Sequence, residues 1–258
     1  MDNYFDLKRF LLLFDKHTSE HFGTYSMAVL ALFGLMLSCV LFFSPTQNAM
    51  VPVNFQRDIF FVFLWLSGSM FTSNVFADLG NKKKASSTLM LPTSHFEKFL
   101  VSWIYSYLVF QIVYVGVFYL VMFIASSLVN FQGKVFQIYD LRSDLRATGW
   151  IFLFYMVFHA IAFTGPVYFE KLHFVKTALV LFGIFMLIRL FNEPVLELIL
   201  KRDVAAPLPF FRAVIVENND MFRLDIRKTQ KLYLMAIPVV IAGILWITTY
   251  FRLREKEI

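Results

Sequence analysis

The stretch with the most chemistry in its spacing is Leu89–Trp103, LMLPTSHFEKFLVSW. Within it, Ser94-His95-Phe96-Glu97 has the separation of a capping box. The Ser94 hydroxyl can accept from the amide three residues on, while the Glu97 carboxylate reaches back to the Ser94 amide. Pro92 lies just upstream, where its ring and missing N–H stop a helix from extending backwards. The spacing predicts a helix that starts at about Ser94, behind the basic turn Asn81-Lys82-Lys83-Lys84. It runs unbroken through Phe99 and Trp103 into the longest apolar segment of the chain. One end of such a helix sits in water and the other in lipid, so it can carry force between them. The plainer alternative is a capped helix start with no further role.

Other reactive constellations are missing from the sequence. A phosphate-binding loop needs glycines around Gly-Lys-Ser/Thr, and the one Gly-Lys pair, Gly133-Lys134, is followed by Val135 and lacks the upstream glycine. The five histidines, His17, His21, His95, His159 and His173, are scattered, and no HExxH or GxSxG run occurs. The expectation is a chain with no catalytic residue, cofactor or metal of its own. His159 and Gln111 are the polar residues nearest the middle of their apolar runs. They are candidates for lining a substrate path, or for the interhelical hydrogen bonds that neutral polar groups make in membranes. Ser67-Gly68-Ser69, with Thr72 and Ser73, reads as a close helix-packing face or a dimer contact.

These residues must be positioned by a chain that is 59% hydrophobic and 16% charged, with 33 Phe in 258 residues. Ordinary globular proteins run nearer half apolar and a quarter charged. Mean hydropathy is +0.64, and the charge clumps between long apolar runs. That excludes a soluble domain and predicts an all-α, polytopic membrane protein in a single transmembrane domain, residues 1–258. In that setting a net charge of +6 marks cytoplasmic loops and contact with anionic membrane lipid rather than nucleic acid. Cys39, the single cysteine, has no partner for an intrachain disulfide. The first apolar run follows a polar leader and is long enough to stay in the bilayer, so no cleavable signal peptide is expected.

Residues 1–23 read as an interfacial helix, because Leu7, Phe10, Leu11 and Phe14 share one face opposite Arg9 and Lys16. An amphipathic helix packed on protein has the same pattern. Six spans are predicted at about 24–43, 59–76, 99–129, 150–169, 174–191 and 232–251. The third exceeds the roughly 20 residues a bilayer needs, and its surplus is the projecting Ser94–Trp103 segment. Pro166 predicts a kink in the fourth. In the fifth, Lys176 and Arg189 leave a stretch of only about 18 Å uncharged, so full crossing requires both to snorkel; a hairpin of spans four and five that dips in without crossing is the alternative. Asn192 is placed to cap a short helix with Pro194 in its first turn.

Lys and Arg set the orientation. With the N-terminus inside, Lys8, Arg9, Lys16, Lys82, Lys83, Lys84, Lys98, Lys171, Lys176, Arg252, Arg254 and Lys256 fall in the cytoplasm, against Arg57, Lys134, Arg142 and Arg146 in the first two outer loops. The bias favours both termini inside. The connector 192–231 runs against it, placing Lys201, Arg202, Arg212, Arg223, Arg227, Lys228 and Lys231 outside.

LPTSHFEKFLVSW resembles the cytoplasmic motif of type-2 ABC transporter permeases, in the branch where Leu-Pro-(small)-Ser-x-x-Glu-Lys-Phe-Leu precedes the third span. The tail Tyr250–Ile258, YFRLREKEI, is similar to that branch's aromatic and charged C-terminus. With the leader and six spans, the resemblance covers nearly the whole chain. It implies a permease subunit that pairs with a second permease copy or homologue on two separate ABC ATPase subunits. ATP and Mg would then be held by the ATPase. It further implies a bacterial inner membrane, substrate export, and a cytoplasmic coupling loop over 78–98. There Pro92, Ser94, His95, Phe96, Glu97 and Lys98 would receive ATPase motion. Short outer helices in 192–231 are implied as well. A self-contained secondary transporter or channel is the runner-up, but it should carry mid-membrane carboxylates, and Asp58, Asp78, Glu97 and Glu170 all fall at span ends. A scaffold subunit of a larger complex stays open.

Overall fold

Backbone that crosses lipid must satisfy its own hydrogen bonds, and for runs this apolar only helix does so. The computed structural model describes residues 5–43, 52–75, 93–128, 137–143, 145–169, 172–201, 204–205, 213–217, 220–224 and 228–256. Its helices are α1 (Leu7–Phe43), α2 (Val53–Val75), α3 (His95–Trp103), a π-helical turn (Ile104–Val109), α4 (Phe110–Leu128), α5 (Leu145–Tyr168), α6 (His173–Leu200) and α7 (Lys228–Lys256). Counting α3 through α4 as one, six helices are long and apolar enough to cross a membrane. The membrane-spanning part is all-helical, and the chain is a multi-pass membrane protein.

The packing centre lies where α2, α4 and α5 meet. Phe60, Leu64, Tyr114, Phe118 and Tyr155 are buried there, with Met36 and Val40 of α1. The Phe60 ring meets Phe118 at 4.9 Å and Tyr114 at 5.2 Å, both edge to face, and the Tyr114 hydroxyl donates to the Phe60 carbonyl at 2.6 Å. The small residues of α2 serve this packing: Gly68 lies against Tyr155 and Phe110, and an added Cβ would overlap the Tyr155 ring. Thr72 and Ser73 are buried. That side of α2 is therefore an intrachain face. Around the core, α5 touches α2, α6 and α7, and α1 lies along α4.

Several expectations change in detail. Residues 7–43 form one helix of 37 residues, about 55 Å long, with no break separating a surface helix 1–23 from span one. Gly23 alone costs about 1 kcal/mol in a helix and does not redirect the chain. The two packing alternatives for its face are divided: Phe14 stacks on Tyr105 at 4.7 Å, while Leu7 and Leu11 are exposed. Pro166 falls in the last turn of α5. The carbonyl its missing N–H would have bonded, Ala162, is met by the Ser73 hydroxyl at 3.5 Å.

Helix α6 spans 28 residues, about 42 Å, because it continues through Asn192 and Pro194 instead of restarting there. Length no longer limits its crossing. It is bracketed by left-handed Leu172 (φ 52°) and Lys201 (φ 51°), unusual positions for residues with a Cβ. The expected short helices of 192–231 are not found among the described residues. A small antiparallel sheet stands there instead, β1 (Val204–Ala205), β2 (Ala213–Glu217) and β3 (Asp220–Leu224), in the order β1-β2-β3. Val204 pairs with Ile215 and Glu217 with Asp220. The β-branched Val214-Ile215-Val216, followed by Asn218-Asn219, is the pattern that favours strand and tight turn over helix.

Candidate functional site

Glu97 builds the site. Its backbone N–H donates to the Ser94 hydroxyl at 3.2 Å, and its Oε2 accepts from the Ser94 amide at 3.0 Å, completing the capping box. Its other oxygen, Oε1, accepts from the Asp6 amide at 2.8 Å and from Arg9 Nη2 at 3.2 Å. Asp6 in turn caps α1, its Oδ1 accepting from the Lys8 amide at 2.8 Å. One carboxylate, 0% exposed, therefore closes the N-termini of two helices about ninety residues apart in sequence. The positive ends of both helix dipoles and the Arg9 guanidinium stabilise its charge.

The neighbours of Glu97 divide by exposure. Lys98 is buried beside it, whereas Phe96 is 39% exposed. Phe96 packs edge-on against Phe5 and Tyr250, and Phe99 does the same against Tyr250 and Phe163. Both the beginning and the end of the described chain thus converge on the first turn of α3. Ser94, His95, Phe96, Glu97 and Lys98 lie together at that one end of the bundle. Pro92 and the loop 78–92 lie outside the described residues.

The helix that begins at Ser94 is continuous but not uniformly α, as its π-helical turn intervenes at Ile104–Val109. Such turns are rare and carry one residue more per turn. This one is held from three sides. Thr18 of α1 hydrogen-bonds the Tyr105 hydroxyl, the Tyr155 hydroxyl reaches the Ser106 carbonyl at 3.4 Å, and His159 Nε2 meets the Ser106 hydroxyl at 2.9 Å. Trp246 Nε1 donates to His159 Nδ1 at 3.3 Å. An indole N–H can only donate, so Nδ1 accepts and the proton sits on Nε2. Nε2–H then donates to Ser106, whose own hydrogen goes to the Ser102 carbonyl at 2.7 Å.

Both nitrogens of His159 are consequently used, and its ring is enclosed by Tyr107, Phe163 and Trp246. It is an interhelical tie with no capacity left to face a substrate in this conformation. Gln111 is a different case. Its Nε2 is buried with no hydrogen-bond partner among the described residues.

Three contributors carry little sequence signal. Arg9 and Asp6 look like ordinary surface-helix polarity, and only their distance from Glu97 gives them a role. Gln56, seemingly a span flank, is fully buried. Its amide donates to the Gln137 carbonyl and accepts from the Tyr139 amide, both at 2.9 Å, pinning residues 137–143 at the opposite end of the bundle. A polar residue just before an apolar run was the available hint.

No known protein family, curated protein or solved structure matches this chain.

Proposed function

We propose that this chain is the permease subunit of an ATP-driven ABC transporter, working as one of two copies or homologues above two ATPase subunits that hold ATP and Mg. The observation that carries the reading is the Glu97 constellation. It fixes the start of α3 to the start of α1, and Tyr250 fixes it to α7, while Phe96 remains exposed. A push on this segment would therefore move three helices together, which is what coupling to an external motor requires. The π-helical turn that follows supplies a place for the displacement to be absorbed or redirected before it enters α4.

In this reading the Ser94 end of the bundle faces the cytoplasm, both termini lie there, and the membrane is a bacterial inner membrane. Substrate moves outward, and the chain itself performs no chemistry. Affinity purification of the full chain from its native membrane in mild detergent tests the proposal. An ABC-type ATPase should copurify in equimolar amount. A chain that purifies alone and still supports transport in vesicles without ATP overturns the reading.

A further inference from the structure

A helix that is α throughout turns by about 100° per residue, so the number of residues between two points fixes their relative facing. Two faces of the helix that starts at Ser94 are anchored independently. Near its start, Glu97 is held by the Asp6 amide and Arg9. Further along, Tyr114 and Phe118 are fully buried in the core, and the Tyr114 hydroxyl donates to the Phe60 carbonyl. The π-helical turn at Ile104–Val109 lies between these anchors and takes up one residue more than an α turn. Without it the two faces would stand about 100° out of phase, and the segment would be about 1.5 Å longer.

The hydrogen bonds of the turn show how the extra residue is kept. The Phe110 amide donates to the Tyr105 and Tyr107 carbonyls, passing over Ser106, its partner in an α-helix. The Tyr155 hydroxyl of α5 is aimed at the Ser106 carbonyl at 3.4 Å, and the Ser106 hydroxyl donates to the Ser102 carbonyl at 2.7 Å. Groups on α1 and α5 therefore favour the π form, while the backbone of the helix by itself favours α.

We propose that the Glu97 clamp and the π-helical turn are the two ends of one conformational switch. With the clamp closed, α3 keeps the facing that requires the turn. When Glu97 is released, the Phe110 amide returns to the Ser106 carbonyl and Ile104–Val109 becomes α. Helix α3 then rotates by about 100° and its start advances by about 1.5 Å. It is α3 that moves, because α4 is held by seven buried side chains and α3 by three. The switch resides in this chain alone and does not rest on an ATPase partner.

Crosslinking tests it on the full chain in lipid vesicles, on a Cys39→Ser background. The Phe99 and Tyr250 rings meet at 5.7 Å, so Phe99→Cys with Tyr250→Cys reports the facing of α3 by its rate of joining through a short bis-thiosulfonate. Glu97→Ala should slow that rate several-fold. Deleting Leu108, an exposed residue of the turn, lets a plain α-helix meet both anchors, so adding the deletion to Glu97→Ala should restore the rate. Tyr155→Phe leaves Glu97 untouched, yet should slow joining and speed proteolytic clipping of the first residues, each by about two- to tenfold, the worth of one hydrogen bond. A Glu97→Ala rate equal to the parent's would overturn the proposal by showing that α3 keeps its facing without the clamp. A folded deletion variant that fails to restore the rate would overturn it by showing that Glu97→Ala only frays the helix start. Unchanged joining and clipping in Tyr155→Phe would overturn it too, and that arm does not require the deletion variant to fold.

Discussion

Replacing Glu97 by alanine removes the acceptor of three hydrogen bonds at once. Two of the donors are backbone amides, Asp6 and Ser94, and an orphaned buried amide costs about 1–3 kcal/mol. The third donor, Arg9, is 38% exposed and can turn to water, so its share is under about 1 kcal/mol. Both amides are only part-buried and can partly reach water, which holds the summed loss to the lower part of that range, about 2–4 kcal/mol. Ser94→Ala removes only the cap and should cost about 1 kcal/mol. Arg9→Gln should cost less still, and Glu97→Gln, which keeps an acceptor oxygen, should fall between. Unfolding by SDS titration in mixed micelles measures all four. The same samples under limited proteolysis should show the first residues of Glu97→Ala clipped faster than those of Ser94→Ala. A Glu97→Ala protein no less stable than Ser94→Ala, with its N-terminus equally protected, would refute the claim that this carboxylate ties α1 to α3.

Other consequences follow from the packing. Gly68→Ala drives a Cβ into the Tyr155 ring and should cost about 1–3 kcal/mol by overpacking, whereas Gly34→Ala meets open space and should be neutral or stabilising by about 0.5–1 kcal/mol; the same SDS titration separates them. His159→Phe leaves Trp246 Nε1–H without its acceptor and takes the Nε2–H donor from Ser106, so it should cost about 1–3 kcal/mol, measured in the same way, with His159→Gln losing less. Single cysteines on a Cys39→Ser background should react with impermeant reagents from the cytoplasmic side at Lys83, Lys171 and Ile258, and from the other side at Gln47, Asp140 and Asp220. Protection of Asp220 from outside reagent would contradict the proposed orientation.

What could be read in advance was what is local. The capping box needs only residues 94 and 97, and both of its hydrogen bonds are present. Six spans follow from long uncharged runs, and the close-packing role of Gly68 and Thr72 follows from their size. The long-range use of Glu97 is invisible, because its partners Asp6 and Arg9 are fixed by folding and no residue type announces them. The π-helical turn has no residue signature in Ile104–Val109, and the side chains that contact it come from distant helices, Thr18 of α1 and Tyr155 and His159 of α5. Two expected helix boundaries are passed over by continuous helices. Gly23 and Asn192 sit inside helices because the apolar runs on either side favour continuing. The strands of the connector are legible in Val214-Ile215-Val216 and Asn218-Asn219, whereas the short helices there are implied only by the permease resemblance.

The coupling role of the α3 start is tested most directly at Phe96. Its ring is 39% exposed and takes no part in the Glu97 hydrogen bonds, so Phe96→Ala leaves the clamp in place. If an ATPase copurifies with this chain, ATP turnover and transport are measured together in vesicles reconstituted with both. Phe96→Ala is expected to be inserted and stable, yet to lose transport while ATP hydrolysis continues, or to lose ATPase docking. Transport at the unsubstituted rate, with the ATPase still bound, would contradict the coupling role and leave Ser94–Lys98 as a capped helix start.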